Sequence, residues 1–227
     1  MTELRVLGVD ACKDGWVAIE LHGGSFAGAH IAADLPALLA ERDDLEVVGI
    51  DMPLGLAEAG WRKADTAAAA ALGTARSTVF RVPPRPVWRE EVYESAVERC
   101  REITGQGFSR QAWALRAKLL EANAYRDSER HQVYEVHPEV SFRAIGEGRP
   151  LVPKKTWQGQ MQRRDLLLKI GIEVPTELGA AGRAGPDDVL DAAAAAWSAH
   201  RIATGRAVSY PDPPEASAAG DAIAIWC

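Results

Sequence analysis

The chain has 227 residues, enough for one large domain or one domain with a sizeable insertion. Its apolar fraction of 47% and charged fraction of 26% are those of a globular protein and exclude a disordered chain, and a net charge of −6 argues against coating nucleic acid through overall charge. No apolar run approaches the ~20 residues that span a bilayer, and the opening MTELRVLGVD enters a strand without a basic, apolar, small-residue signal pattern, so a cytoplasmic protein without membrane contact is expected. Cys12, Cys100 and Cys227 lack paired metal-ligand spacing, and His22, His30, His131, His137 and His200 are scattered, so neither a disulfide framework nor a zinc site is expected.

In chain order, residues 4–10 (LRVLGVD) form an apolar, branched run too short for a helix, which predicts a strand buried on both faces and ending in a charge. Trp16–Leu21 and Ser25–Ile31 flank His22-Gly23-Gly24, a small-residue turn that predicts an antiparallel hairpin. Asp34 caps a helix predicted to reach about Arg42, and Glu46–Asp51 (EVVGID) reads as a second buried strand. From 52 to 130 the pattern becomes mainly helical with irregular stretches, including an alanine-rich segment at Arg62–Leu72 and the proline-rich RVPPRPVW; it reads as an insertion or cap. Gln132–His137 (QVYEVH) resumes as a strand, KKTWQGQMQRRDLLLKIG carries helical spacing to a stop at Gly171, and Pro186-Asp187-Asp188 opens a final helix with acids in its first turn. Ala222–Trp226 adds a short last strand. Trp16, Trp157 and Trp197 are expected to pack the core or helix interfaces. The fold class is α/β, one domain over 1–227 with a mixed sheet flanked by helices.

Two strands end in nearly the same tripeptide, Gly8-Val9-Asp10 and Gly49-Ile50-Asp51. Alternation puts each glycine and aspartate on one face, leaving room beside the carboxylate. Glu135 lies inside an apolar strand, where no capping role explains it, and in DDVLD Asp188 and Asp191 are three apart and Asp187 and Asp191 four apart, on one helix face. Gathering such acids without counter-charge is unfavourable, because burial and like charge both oppose ionisation. A bound cation removes that difficulty. Hard oxygen ligands favour Mg²⁺ or Mn²⁺, and an ion pair ~3.5–4 Å apart can activate water and stabilise a leaving oxygen in phosphodiester hydrolysis.

At GVDACKDGW, IDMPLGL, ARSTVF, YEVHPEVSF, LVPKKTWQGQMQRRDLLL and DDVLDAAAAAW, in that order along nearly the full length, the chain resembles the DUF429 family, described as predicted nucleases with a ribonuclease-H-like fold. The resemblance implies a five-stranded mixed sheet, Asp10 as the central and bridging metal ligand, Asp51 or Glu135 as the second, and Asp188 or Asp191 as the last. Those five acids are the candidate catalytic and metal-ligating residues.

Between Trp61 and Glu90 six basic residues (Arg62, Lys63, Arg76, Arg81, Arg85, Arg89) stand against two acids (Asp65, Glu90), a local excess of four positive charges. Arginine's planar fork suits phosphate, and Phe80 and Trp88 among them can stack on bases. Arg76, Arg81 and Arg85, with Lys154 and Lys155 of a second basic group that includes Arg163 and Arg164, are the candidate substrate-binding residues. No GxxxxGK[ST], GxGxxG or GxSxG motif is present, which disfavours nucleotide-loop ATPases, dinucleotide enzymes and serine hydrolases. The expectation is a metal-dependent nuclease or phosphodiesterase acting on nucleic acid or a nucleotide. The alternatives are a phosphotransferase of the actin-like branch and a non-catalytic binding module, such as a homodimer.

Overall fold

A computed structural model of the chain describes residues 3–217, 220 and 222–227. The elements run β1 (Arg5–Cys12), β2 (Gly15–His22), β3 (Ser25–Ala32), α1 (Leu35–Leu39), β4 (Val47–Ile50), α2 (Lys63–Leu72), α3 (Tyr93–Thr104), α4 (Arg110–Ala114), α5 (Arg116–Arg126), β5 (Val133–Glu135), α6 (Pro138–Ile145), α7 (Trp157–Lys169), α8 (Pro186–Ala203), β6 (Ser209–Ala216) and β7 (Ala222–Trp226). Two compact units result. One takes in the chain through Met52 together with Tyr125–Val208 and Trp226–Cys227, the other Pro53–Ala124 and Ser209–Ile225.

The first unit holds a five-stranded sheet in the order β3-β2-β1-β4-β5. The predicted hairpin forms: β1, β2 and β3 are antiparallel neighbours, while β4 lies parallel to β1 and β5 parallel to β4. A parallel pair needs a long crossover, and the chain supplies one between β4 and β5. The helix expected to reach Arg42 stops at Leu39, because Glu41 takes a left-handed φ of +61°, and the Arg42 guanidinium donates to the Leu38 carbonyl that the broken helix leaves open. Asp34 caps it as predicted, accepting from the Ala37 amide at 2.8 Å.

Val6 of β1, Val17, Ile19 and Leu21 of β2 and Val47 of β4 face a core completed by Phe142, Ile145, Leu167 and the alanines of α8. Gly8 and Gly49 sit opposite each other on this same face. A Cβ on Gly8 would stand 1.9 Å from the Ala196 amide nitrogen and 2.2 Å from the Ala192 carbonyl oxygen, and one on Gly49 would stand 2.8 Å from the Ala195 carbonyl oxygen. The backbone of α8 therefore rests directly on the two glycines, and the Ala192–Ala196 run keeps its underside thin enough to do so. The buried Ser141 and Ser198 hydroxyls, 2.8 Å apart, tie α6 to the same helix.

The second unit has its own aromatic cluster. Trp88 stacks on Trp113 with ring centroids 6.2 Å apart, and Phe108 packs on Trp88 and, edge-on, on Trp113. Asp65 accepts from the buried Arg62 guanidinium and from the Val82 amide, and Asn123 bridges the Gly55 amide and the Pro53 carbonyl. β6 was not expected from SYPDPPEA. Its prolines are tolerated because it pairs only with β7, so one edge donates nothing to a ladder.

Gly8→Ala is expected to cost ~1–3 kcal/mol or more, the usual penalty of overpacking a core where backbone must give way. Gly182→Ala, whose added methyl would come no nearer than 4.0 Å to Leu178, should change stability by less than ~0.5 kcal/mol. Urea unfolding of the two variants measures the difference.

Candidate metal centre

The glycine contacts bring three chain-distant carboxylates together. Asp10 lies near the end of β1, Asp51 follows the last residue of β4, and Asp191 lies in the second turn of α8. Val9 pairs with Ile50, so Asp10 and Asp51 project side by side on the α8 face of the sheet. One carboxylate oxygen from each of Asp10, Asp51 and Asp191 can be chosen so that all three lie within 4.8 Å of one another. Asp10 also accepts from the Ala11 amide at 2.7 Å. Asp191 is 1% exposed, and its Oδ1 is buried without a hydrogen-bond partner.

The cation already present is Lys154, whose ammonium donates to Asp191 Oδ2 at 2.5 Å. Burial alone would lower the lysine's pKa, but Asp191, Asp51 and Asp10 outweigh it and hold the ammonium charged above its ordinary range. Among the carboxylates burial acts the other way. It is the largest cause raising Asp10 well above the usual range, followed by the charges of Asp51, Asp191 and Asp188. Asp51 is pushed up to about 7 by burial, against the pull of Lys154 and with a further push from Glu139. Asp191 is likewise pushed up to about 7, by burial and by Asp51, again against Lys154.

Three ionised carboxylates against one ammonium leave a formal charge of −2, which one divalent cation balances. The buried, unsatisfied Oδ1 of Asp191 and the all-oxygen donor set fit a hard cation. The cluster can therefore hold a metal ion.

Two further groups support the centre. Glu139, in the first turn of α6, is close enough to raise both Asp51 and Asp191, and it is held by the buried Arg163 guanidinium of α7 at 2.6 Å. Arg163 also donates to the Val152 and Gly159 carbonyls, fixing the loop that carries Lys154 to the helix behind it. Neither residue was singled out from the sequence. The readable clue is His137-Pro138-Glu139, a proline at the first helical position followed by an acid, which marks the start of α6. Arg163, read from the sequence only as a member of the second basic group, is an internal clamp.

Glu135 is placed apart from the three aspartates. β5 pairs with β4 so that Tyr134 stands beside Gly49 and Glu135 beside Ile50, which turns Glu135 to the opposite face, where it is buried and engaged. A one-residue phase decides this, since side chains alternate with a period of two. Asp188 occupies the first turn of α8 and takes a backbone hydrogen bond from Gly185, a capping contact, while its charge still raises Asp10.

Lys155 and Arg164 reach solvent. In the second unit Arg85 pairs with Glu58 at 2.9 Å, and Arg81 lies over the Trp61 ring at 4.2 Å and donates to Gln106. Arg76 is exposed in a 3-10 turn spanning Gly73–Thr78. Two expectations for that region are corrected: Trp88 is buried in the aromatic cluster, its indole N–H donating to the Pro83 carbonyl, so it has no free face for a base, and Arg62 is consumed by Asp65. A third correction concerns Trp157, expected in the core but 76% exposed. Trp16 is fully buried and Trp197 partly so.

The sheet order and the carboxylates at the ends of β1 and β4 and in α8 define an α/β protein with a five-stranded mixed sheet and a buried acidic centre, consistent with a ribonuclease-H-like fold. The chain belongs to DUF429, a family described as proteins of unknown function, whose sequence pattern matches residues 8–216. Comparison with curated proteins and with solved structures finds no match. No helix among the described residues is long and apolar enough to cross a membrane.

Acids raised in the folded state take up protons more readily than in the unfolded chain, so their contribution to stability is complete below the ordinary value of 3.8 and is lost as pH rises through about 7. Glu20 does not confuse this window. Burial pushes its carboxyl up, but hydrogen bonds from Arg5, His22 and His30 outweigh it and hold it near 2, so its stabilisation is in place above 4.5. Without metal, unfolding free energy should fall between pH 5 and pH 7, as measured by urea titration in EDTA, and Asp10→Asn should flatten the fall.

Proposed function

We propose that the protein is a metal-dependent phosphodiesterase of the nuclease type, using Mg²⁺ or Mn²⁺ held by Asp10, Asp51 and Asp191. The observation that carries the reading is the buried meeting of these carboxylates, with Asp191 Oδ1 left without a partner. A divalent cation there supplies Lewis-acid stabilisation of charge developing on a phosphoryl oxygen and lowers the pKa of an attacking water.

The chain's own residues do the rest. Asp10, near the end of β1, would hold the cation, and its bond to the Ala11 amide keeps its carboxylate in one orientation. Asp51 and Asp191 complete the ligand set from a second strand and a helix, elements rigid enough to hold oxygen positions closely. The Lys154 ammonium, strongly charged beside Asp191, offsets the negative field that would repel a phosphate, and its flexible stem lets it turn from the carboxylate towards an incoming oxygen. Arg163 and Glu139 position the loop from which Lys154 extends. The formal balance suits one cation with the lysine beside it better than the two cations expected from the acids alone.

The test has two readouts. Mn²⁺ should raise the melting temperature of the wild type, more at pH 8 than at pH 6 because protons compete for the same oxygens, and Asp10→Asn should abolish the rise. Against a panel of single-stranded, branched and hybrid nucleic acids, Asp10→Asn and Asp191→Asn should each lower hydrolysis by at least ~10²-fold. Glu135→Gln, altering an acid on the other face, should retain the metal response. No Mn²⁺ stabilisation, or hydrolysis indifferent to Asp10→Asn, would overturn the reading.

A further inference from the structure

Among the described residues Trp157 is the exposed aromatic: of the seven tryptophans, the other six are buried or partly buried. Leaving so large an apolar surface in water forgoes the stabilisation that burial brings, and the position is not a loose one. Thr156 caps α7, accepting from the Gly159 amide at 3.1 Å while its hydroxyl donates to the Pro153 carbonyl at 2.8 Å. The helix seats so tightly on this turn that a Cβ on Gly159 would lie 2.1 Å from the Pro153 carbonyl oxygen. Arg163, one turn on, bonds the Val152 carbonyl from behind. The indole is thus presented to solvent from a rigid mount.

That mount is the one that delivers Lys154 to Asp191. Trp157 is three positions beyond Lys154, so their Cα atoms are at most about 11 Å apart. Lys155 is exposed between them. Arg164, seven residues along α7 from Trp157, shares its face about 10 Å further on and is also exposed. An exposed flat π-surface flanked by two cations, on the segment that carries Lys154 to a carboxylate centre suited to a hard cation, matches a chain of alternating bases and phosphates. A duplex stacks its bases on each other and offers none to a protein ring, whereas an unpaired strand presents both parts.

Resting on the functional reading above, we infer that Trp157 is a base-stacking subsite, with Lys155 and Arg164 contacting flanking phosphates, and that the substrate is single-stranded nucleic acid. The ring supplies a sequence-tolerant contact, since every base has a π-face, and the cations set the path of the backbone towards the centre at Asp10.

The inference is tested by binding rather than turnover. The probe is a short labelled oligothymidylate, and its counterpart bearing abasic sites, titrated by fluorescence anisotropy with Ca²⁺ in place of Mn²⁺. Trp157→Ala should weaken the base-bearing oligomer about tenfold, within the range of a base–aromatic stack, and leave the abasic oligomer unchanged, while Trp157→Phe restores most of the affinity. Lys155→Ala should weaken both oligomers alike and lower the salt slope by ~0.7, the share of one phosphate contact on a single strand. Melting temperatures of the exposed-site variants should match the wild type. Equal binding by Trp157→Ala and wild type, an equal loss on both oligomers, or no binding of any oligomer by the wild type overturns the inference. Cleavage by the wild type that ignores Trp157 would leave the hydrolase reading standing without this subsite. Base-dependent binding through Trp157 with no cleavage would do the reverse.

Discussion

The contact between the α8 backbone and the glycines of β1 and β4 governs the rest of the first unit. A helix normally stands off a sheet by the width of two layers of side chains. Here one layer is missing at Gly8 and Gly49, and the other is reduced to the methyls of Ala192–Ala196, so helix and strand backbones touch. Shape complementarity of this kind leaves no slack, because core packing is dense and backbone cannot yield locally without moving the helix. The aspartates two residues beyond each glycine and one residue before the alanine run are thereby drawn into one group. The glycines and alanines are structural in kind, yet they set the distances among the acids.

Such closeness has an electrostatic cost, visible in the upward displacement of all three aspartates. Lys154 offsets part of it, and its attachment to Asp191 shows how the chain manages the charge with its own resources. Behind it, Glu139 and Arg163 form a buried ion pair whose remaining guanidinium bonds go to backbone carbonyls of the lysine-bearing loop. A buried pair of this sort is weak evidence for added stability, but removing one partner leaves an uncompensated charge, so it holds the arrangement to one geometry. The acidic centre is then a layered object: carboxylates in contact, one ammonium beside them, and a clamp that fixes where the ammonium comes from.

The opposite face of the sheet carries polar chemistry of another sort. Glu20 is buried on β2 and satisfied by Arg5, His22 and His30, and Arg5 also pairs with Asp44. Glu20 is met by hydrogen-bond partners and an opposite charge, in contrast to the like charges gathered under α8. Glu135 belongs to that face too. The functional reading thus rests on one side of the sheet, and the second unit, with Arg62, Arg81 and Arg85 largely engaged by local partners, contributes less exposed positive charge than its composition promised.

Local pattern and composition were enough to place β1 to β5, the β2–β3 hairpin, the long final helix and the aspartates at strand ends, because hydrophobic periodicity and turn chemistry act over a few residues. Asp10, Asp51 and Asp191 were all legible as candidates for that reason. What the chain could not disclose locally was phase and proximity. Whether Glu135 or Tyr134 shares a face with Gly49 depends on the register of β5 against β4, a long-range pairing with no marker in the tripeptide itself. The burial of Trp88 and Arg62 and the exposure of Trp157 depend on which surfaces meet after folding; basic neighbours pointed to a ligand-facing role for Trp88 and Arg62, and hydrophobicity to a buried one for Trp157. Glu139 and Arg163, 24 residues apart, become one unit only when α6 and α7 pack. Local pattern is enough to set which acids stand at the ends of core elements; which of them share a space depends on folding, because alternation chooses the face and only helix-on-sheet contact sets the distance.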